Sequence, residues 1–287
     1  MALGGEWTIS SGSQCNNVVL EKINVPDATS TTAYKGDAGT SLASPAAAAM
    51  IALAQEYCET RFNQTFSNLA WRAIARNATW DANPTGWKYS TLNSVSGDHE
   101  DGGGLLTLGA LVNVCHPPTG GGPTTQRVGK VINLNDPGDP PPVGGLPPGN
   151  GFGPPPGGQS LHTRNSTPPN PGTDRRKYVR LTSFVGLPEG TRLRATLTWN
   201  SCLVTSGVAP GEIGVDFDLF LWHDGPTNPR PYYGSQTIDD NNEGFDVTLQ
   251  KGDGGDLSVW VAFPDTATGC AGGGGMEPIE AVATVWY

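Results

Sequence analysis

A segment rich in glycine and proline divides this chain of 287 residues into two flanks of nearly equal length. Residues 117–172 contain 15 Pro and 13 Gly, which together fill 28 of 56 positions. Proline removes backbone donors, and so polar a stretch cannot bury enough apolar area to offset its ordering entropy. The sequence therefore predicts a linker at 117–172, with one domain at 1–116 and another at 173–287. A docking segment for a proline-reading domain is the functional alternative.

Charge and hydropathy exclude two classes of partner. The formal net charge is -10, whereas binding to nucleic acid needs clustered Lys and Arg to contact phosphates. The longest apolar run, Pro45–Ala54, is far shorter than the roughly 18 residues of a membrane-spanning helix. We therefore expect neither a nucleic-acid partner nor a membrane span.

The first flank has helical periodicity. Ala46–Tyr57 is predicted as a helix with Pro45 in its first turn, and its small apolar side chains predict burial on nearly all sides. Asn68–Asn77 is predicted as an amphipathic helix capped by Thr65 or Ser67. A third helix is expected at Leu105–Val114, and short strands are expected at Trp7–Ile9 and Val18–Leu20.

The second flank has the pattern of strands separated by turn residues. Six short segments alternate or run apolar, with no convincing helix between them. They predict an antiparallel β-sandwich or jelly roll. The predicted strands are Tyr178–Val185, Arg192–Trp199, Asp216–His223, Phe245–Gln250, Leu257–Phe263 and Ala281–Tyr287.

Five cysteines, none in a Cys-x-x-Cys pair, argue against a zinc or thiol redox motif. A disulfide between Cys202 and Cys270 is predicted in the β region and would suit an oxidising compartment. At most one pair can form among Cys15, Cys58 and Cys115, so one thiol is left over. Its partner could lie on sequence outside this chain, or all five could be buried free thiols.

The most informative motif is Gly39-Thr40-Ser41-Leu42-Ala43-Ser44-Pro45. A serine hydroxyl is a weak nucleophile without a base and without stabilisation of the oxyanion that follows attack. The amino end of a helix offers unpaired N–H groups and a positive dipole end for that oxyanion. The alternative is an ordinary Ser/Thr cap on an alanine-rich helix.

This string resembles the nucleophile motif of subtilisin-like serine proteases (subtilases), in which Gly-Thr-Ser-x-Ala-x-Pro opens the central helix. The order of the following helices is also similar, and Gly102-Gly103-Gly104 resembles the glycine-rich entry to the last helix of that catalytic domain. The resemblance covers about residues 1–116 and implies a partial α/β subtilisin-like domain with Ser41 as nucleophile. It also implies a secreted endopeptidase that acts on protein or peptide substrates and requires no cofactor.

The chain departs from the family upstream of Ser41. Subtilases order their triad as Asp, His and Ser, yet only 40 residues precede Ser41 and none is a histidine. All four histidines follow it, at His99, His116, His162 and His223. The resemblance therefore implies the carboxyl-terminal part of a catalytic domain, inactive alone, whose missing amino-terminal portion would be a partner.

Two other functional classes stay open. An α/β-hydrolase triad could combine Ser41 with Asp81 or Asp98 and with His99 or His116, although the motif lacks the Gly-x-Ser-x-Gly elbow after a buried strand. A non-catalytic secreted binding module would carry the Ser41 segment as a relic.

The acidic and aromatic residues of the second flank suggest binding sites. The Thr198-Trp199 and Asp216–Trp222 segments resemble the carboxyl-terminal β-sandwich often attached to subtilases. Its carboxylates could ligate calcium, or they could form a solvated acidic surface. The calcium candidates are Asp216, Asp218, Asp239 and Asp240, with Asn241, Asn242 and Glu243 beside them. The aromatic side chains that could bind a polysaccharide, or fill the core, are Trp222, Trp260, Tyr232 and Tyr233.

Overall fold

The computed structural model describes the backbone of residues 7–9, 18–20, 23–26, 34–37, 40–80, 105–116, 123–135, 159–160, 177–200, 215–224, 230–235, 241–263 and 275–286. Within these ranges side chains are described from Ala43 onward, except at residues 80, 105, 159, 160, 230–233 and 235. The predicted Cys202–Cys270 disulfide lies outside the described residues.

Three short antiparallel pairs and three helices make up the described part of the first flank. The paired strands are β1 (Trp7–Ile9) with β2 (Val18–Leu20), β3 (Ile23–Pro26) with β4 (Tyr34–Asp37), and β5 (Thr79–Trp80) with β6 (Leu105–Leu106). The helices are α1 (Thr40–Phe62), α2 (Asn68–Asn77) and α3 (Leu108–Val112), the last continuing as a 3-10 turn at Asn113–Cys115. The strands predicted at Trp7 and Val18 are confirmed.

The second helix is confirmed at both ends, but the first and third differ from prediction. Ser67 Oγ accepts a hydrogen bond from the Ala70 N–H at 3.1 Å, so Ser67 and not Thr65 caps α2. Helix α1 begins six residues before its predicted start, which places Pro45 inside it. The third helix is shorter than predicted because Thr107 is extended and caps α3 through Ala110 N, while Leu105–Leu106 pairs with β5.

Two antiparallel sheets share one apolar core, as predicted for the second flank. The five-stranded sheet has the order β7-β15-β10-β13-β8, and the four-stranded sheet has the order β12-β11-β14-β9. Leu197, Phe245 and Ala283 of the first sheet belong to the same core cluster as Leu221 and Val261 of the second. The strands are β7 (Thr124–Asn133), β8 (Gln159–Ser160), β9 (Lys177–Leu187), β10 (Arg192–Trp199), β11 (Asp218–His223), β12 (Arg230–Ser235), β13 (Asn242–Thr248), β14 (Gly255–Phe263) and β15 (Met276–Trp286).

Strand β7 corrects the predicted extent of the linker. Residues 124–133 fall inside 117–172, yet they pair with β15 along its length, from Thr124 opposite Val285 to Asn133 opposite Met276. The segment holds one glycine and no proline, so it can contribute the donors that the rest of the region lacks. Residues 117–122, 136–158 and 161–172 of the predicted linker lie outside the described residues.

Helix α2 lies on the outer face of the five-stranded sheet, where polar side chains of β10 reach its backbone. Thr196 and Thr198 donate hydroxyl hydrogen bonds to the carbonyls of Ala73 and Leu69, at 3.0 and 3.2 Å. Asn77 Nδ2 donates to the carbonyls of Arg194 and Val282 at 3.3 and 3.0 Å. Because these groups are buried, each unmade bond would cost more than each made bond contributes.

A buried ion-pair cluster lies beside the carboxyl end of α2 in this interface. Asp246 Oδ2 accepts from Arg192 Nη2 and Arg194 Nη2 at 2.5 and 2.6 Å. The Arg194 side chain is 2% exposed, and its Nη1 donates to the Thr79 carbonyl. Burial raises the pKa of Asp246, but the hydrogen bond from Arg192 and the charges of both arginines outweigh it and leave that pKa below its ordinary value.

The depressed pKa of Asp246 predicts an acid-sensitive contribution to stability. In the unfolded chain the Asp pKa is about 3.9, so the stabilisation is present above that pH and is lost as the pH falls through the lower folded value. We expect the urea midpoint of the wild-type chain to fall more steeply below about pH 4 than that of Asp246→Asn. Parallel acid profiles for the two chains would contradict this assignment.

Candidate nucleophile helix and surrounding residues

Ser41 is the second residue of α1, four residues after β4 ends at Asp37. The Ser41 side chain is not described, so the role of Ser41 is inferred from its backbone position in the helix. The first-turn N–H groups of a helix have no intrahelical acceptor and the dipole end is positive. Pro45 has no N–H to donate to the Ser41 carbonyl four residues earlier. The sequence prediction that Ser41 occupies the amino end of a helix is therefore confirmed.

Burial of α1 on nearly all sides is not what the structure shows. Ala54 and Cys58 are fully buried against α3 and its turn, whereas Leu53 is 54% exposed. The amino-terminal turns of the outer face are apolar and exposed, at Pro45, Ala48, Ala49 and Ala52. Among the described residues nothing buries this face, so the prediction that α1 is buried on nearly all sides is wrong for the described part of the chain.

A disulfide joins the carboxyl end of α1 to the turn after α3. Cys58 and Cys115 are bonded to each other, with Cα atoms 5.6 Å apart, and both side chains are buried. Cys58 and Cys115 therefore form the one pair that was expected among the three cysteines of the first flank. Neither of these two cysteines is available to Cys15. The hypothesis of five free thiols is therefore wrong.

His116 lies at the far end of α1 from Ser41. Its Nε2 lies 3.2 Å from the Tyr57 hydroxyl, and its ring packs against Phe62 with centroids 5.3 Å apart. Ser41 and Tyr57 are separated by about 24 Å along the helix at 1.5 Å per residue. A general base must lie about 3 Å from the proton it takes. His116 therefore cannot serve Ser41, and the hydrolase triad that uses His116 is wrong.

Besides His116, the structure describes one histidine, and it lies in the sandwich. His223 ends β11 in the sandwich, where its Nε2 lies 3.4 Å from the Gly254 carbonyl. Asp81, Asp98, His99 and His162 lie outside the described residues.

The described calcium candidates belong to segments of both sheets. Asp216 precedes β11 and Asp218 begins it, and both side chains are half-buried. Asn242 and Glu243 begin β13 in the other sheet and are 1% exposed, while Asn241 Oδ1 accepts from Arg72 Nη2 at 3.1 Å. Across the described part of the chain no three His, Cys, Asp or Glu side chains are placed to hold a metal ion. Asp239 and Asp240 lie outside it, so calcium binding stays a prediction.

Two of the aromatic candidates for polymer binding are buried. Trp222 and Trp260 are 1% and 6% exposed, and they cluster with Tyr178 and Phe220 on the outer face of the four-stranded sheet. Trp260 Nε1 donates to Ser258 Oγ at 2.7 Å. Neither ring is a free stacking platform, so the polymer-binding alternative is wrong for these two residues, and the alternative of burial holds, although in this outer cluster and not in the core between the sheets. The side chains of Tyr232 and Tyr233 lie outside the described residues.

The fold defines a mostly β protein with two antiparallel sheets and few helices. No helix within the described ranges is long and apolar enough to cross a membrane. No protein-family model matches the chain, and no curated protein matches it.

Proposed function

We propose that this chain carries the nucleophile-bearing part of a subtilisin-like serine endopeptidase. The observation that carries the proposal is the position of Ser41 in the first turn of a helix of 23 residues, within Gly39-Thr40-Ser41-Leu42-Ala43-Ser44-Pro45. Glycine before the serine gives a substrate backbone room to approach, and the small residues after it allow close packing of the helix.

The proposed reaction is peptide-bond hydrolysis through an acyl-enzyme. Ser41 Oγ attacks the scissile carbonyl after a base takes its proton, and the amine leaves with a proton returned by that base. The Ser41 backbone N–H would be one donor to the oxyanion, because first-turn amides have no intrahelical acceptor. The base and its orienting acid would come from a separate part of the catalytic domain, since no histidine precedes Ser41 in this chain.

The exposed face of α1 supports a larger α/β domain around this helix. An exposed apolar surface runs along α1 from the fourth residue after Ser41, and it is formed by Pro45, Ala48, Ala49, Ala52 and Leu53. Small apolar side chains allow close approach of another packed element, and their burial would add about 25 cal/mol for each Å² removed from water. The remaining catalytic portion, with the missing triad members, is the partner we propose for this face.

Secretion is part of the same proposal. The buried Cys58–Cys115 disulfide is of a kind that forms and persists in oxidising compartments. Calcium bound near the acidic residues of β11 would be a stabilising addition and is not required for the proposed chemistry.

The isolated chain is expected to react poorly with an active-site probe. A serine without its base loses most of its nucleophilic rate. With a fluorophosphonate probe and peptide mass spectrometry, we expect modification of Ser41 in this chain to be no faster than modification of exposed Ser44. Protease-like labelling of Ser41 alone, abolished in Ser41→Ala and retained in Ser44→Ala, would show that the chain contains its own base.

A second candidate is a non-catalytic secreted binding module built on the apolar core that both sheets share. The sequence immediately upstream of Met1 in the source DNA separates the two. An in-frame extension that encodes an Asp motif and a His-Gly-Thr motif supports the protease, and a promoter at that position supports the module.

A further inference from the structure

Two Asn-x-Thr sequences in the described residues differ in their accessibility. Asn63-Gln64-Thr65 follows α1, and Asn77-Ala78-Thr79 ends α2. This triplet is the acceptor sequence for N-linked glycans, which require an accessible asparagine amide.

Asn63 directly follows α1 in a left-handed conformation with its side chain exposed. Its φ is 53°, its N–H donates to the Glu59 carbonyl at 3.0 Å, and the Gln64 N–H donates to the Cys58 carbonyl at 3.2 Å. This is the arrangement in which Asn commonly substitutes for glycine after a helix. Gln64 and Thr65 are also exposed. The backbone bonds fix the turn, and the whole triplet remains at the surface.

The Asn77 side chain is buried in the interface between α2 and the five-stranded sheet. It is 5% exposed, and its Nδ2 donates to two carbonyls, those of Val282 and Arg194, at 3.0 and 3.3 Å. Its Oδ1 accepts from Thr284 Oγ1 at 2.5 Å. A sugar on Nδ2 would replace one of these donor hydrogens and would need space between the helix and the sheet. A glycan at Asn77 is therefore incompatible with this interface.

We propose that Asn63 is an acceptor for an N-linked glycan and that Asn77 is unmodified in the folded chain. The donor class is a lipid-diphosphate-linked oligosaccharide. Asn63 Nδ2 forms a bond to the sugar C1, the bond from C1 to the diphosphate oxygen breaks with its electron pair, and the amide loses one proton to solvent. The proposal is independent of the chemistry of Ser41 and needs only passage through a glycosylating secretory pathway.

The test is secretion of the full chain from a eukaryotic host behind a host signal sequence. The third triplet, Asn165-Ser166-Thr167, is removed in every chain by Thr167→Ala. Glycopeptide mass spectrometry is applied to the secreted and the cell-retained chain. We expect Asn63 to be occupied in both fractions and Asn77 to be unoccupied in the secreted fraction.

Substitutions of the threonine in each of the two triplets provide the matched controls, because they leave both asparagines in place. The secreted Thr65→Ala chain should have an apparent mass on a gel that is lower by one glycan. The secreted Thr79→Ala chain should have the same apparent mass as the chain without that substitution. An unoccupied Asn63 in both fractions, or an occupied Asn77 in secreted chain with wild-type thermal unfolding, would overturn the proposal. Ser41→Ala should have the same glycan pattern as wild type, which separates this test from that of the protease.

Discussion

Replacing Asp246 by asparagine should lower the free energy of unfolding by about 3–5 kcal/mol, the usual cost of leaving a buried charge without its partner. The residue left behind is Arg194, whose side chain is 2% exposed and bonds to Asp246 at 2.6 Å. An amide of the same size keeps the packing but cannot balance the guanidinium charge. Urea unfolding at pH 7 measures the loss through the shift in midpoint.

A surface ion pair of the same residue types provides the control. Asp224 contacts Arg180 at 2.5 Å, and the Arg180 side chain is 46% exposed. The other oxygen of Asp224 accepts from Ser258 Oγ at 2.8 Å, and the amide oxygen of asparagine can keep that bond. Asp224→Asn should therefore cost about 1 kcal/mol or less, because water screens an exposed pair. Equal losses in the two variants would contradict the claim that the Asp246 cluster is a buried support of the interface between α2 and the sheet.

Removing the disulfide with the double substitution Cys58→Ala and Cys115→Ala should cost about 4 kcal/mol. The bridge closes a loop of 57 residues, and the chain-entropy relation gives about that value for such a loop. The two cysteines also lie in the cluster that packs α1 against α3. We expect the helical circular dichroism signal to unfold at a lower temperature than in the wild-type chain.

Chemical reduction distinguishes the bridge from the packing of its side chains. Reductant should lower the melting temperature of the wild-type helical signal towards that of the double variant, and it should leave the melting of that signal in the double variant unchanged. If reductant has no effect on the wild-type chain, loop closure by Cys58–Cys115 does not stabilise α1.

Periodicity located several of the regular elements. Alternation predicted Arg192–Trp199, which is β10 with the same bounds, and the apolar face of Asn68–Asn77 predicted α2. Helix α2 buries one face, as its period indicates, whereas β10 is buried on both faces from Leu193 to Trp199. Strand β7 was missed because the average composition of 117–172 obscured ten residues with almost no glycine or proline.

Contacts between distant segments could not be predicted in the same way. The hydrogen bonds of Asn77 join residues separated by 117 and 205 positions. In the sequence Asn77 has the pattern of a helix terminus, and Arg194 that of an exposed strand position. The only local signal was a run of polar residues on alternate positions of β10, which is also the pattern of a solvent-facing strand.

The candidate site was predictable only in part. The motif around Ser41 placed that residue in the first turn of α1, since a small-residue helix and its start are local features. Distances between Ser41 and any histidine depend on the whole chain, and the length of α1 alone removes His116 from consideration.

The most direct test is an intact-mass measurement on the longest in-frame product of the source gene that contains this sequence, after treatment with a fluorophosphonate. We expect a single adduct, which is lost in Ser41→Ala and kept in Ser44→Ala. A product that carries no adduct, or one that is still labelled in Ser41→Ala, would contradict the assignment of Ser41 as the nucleophile.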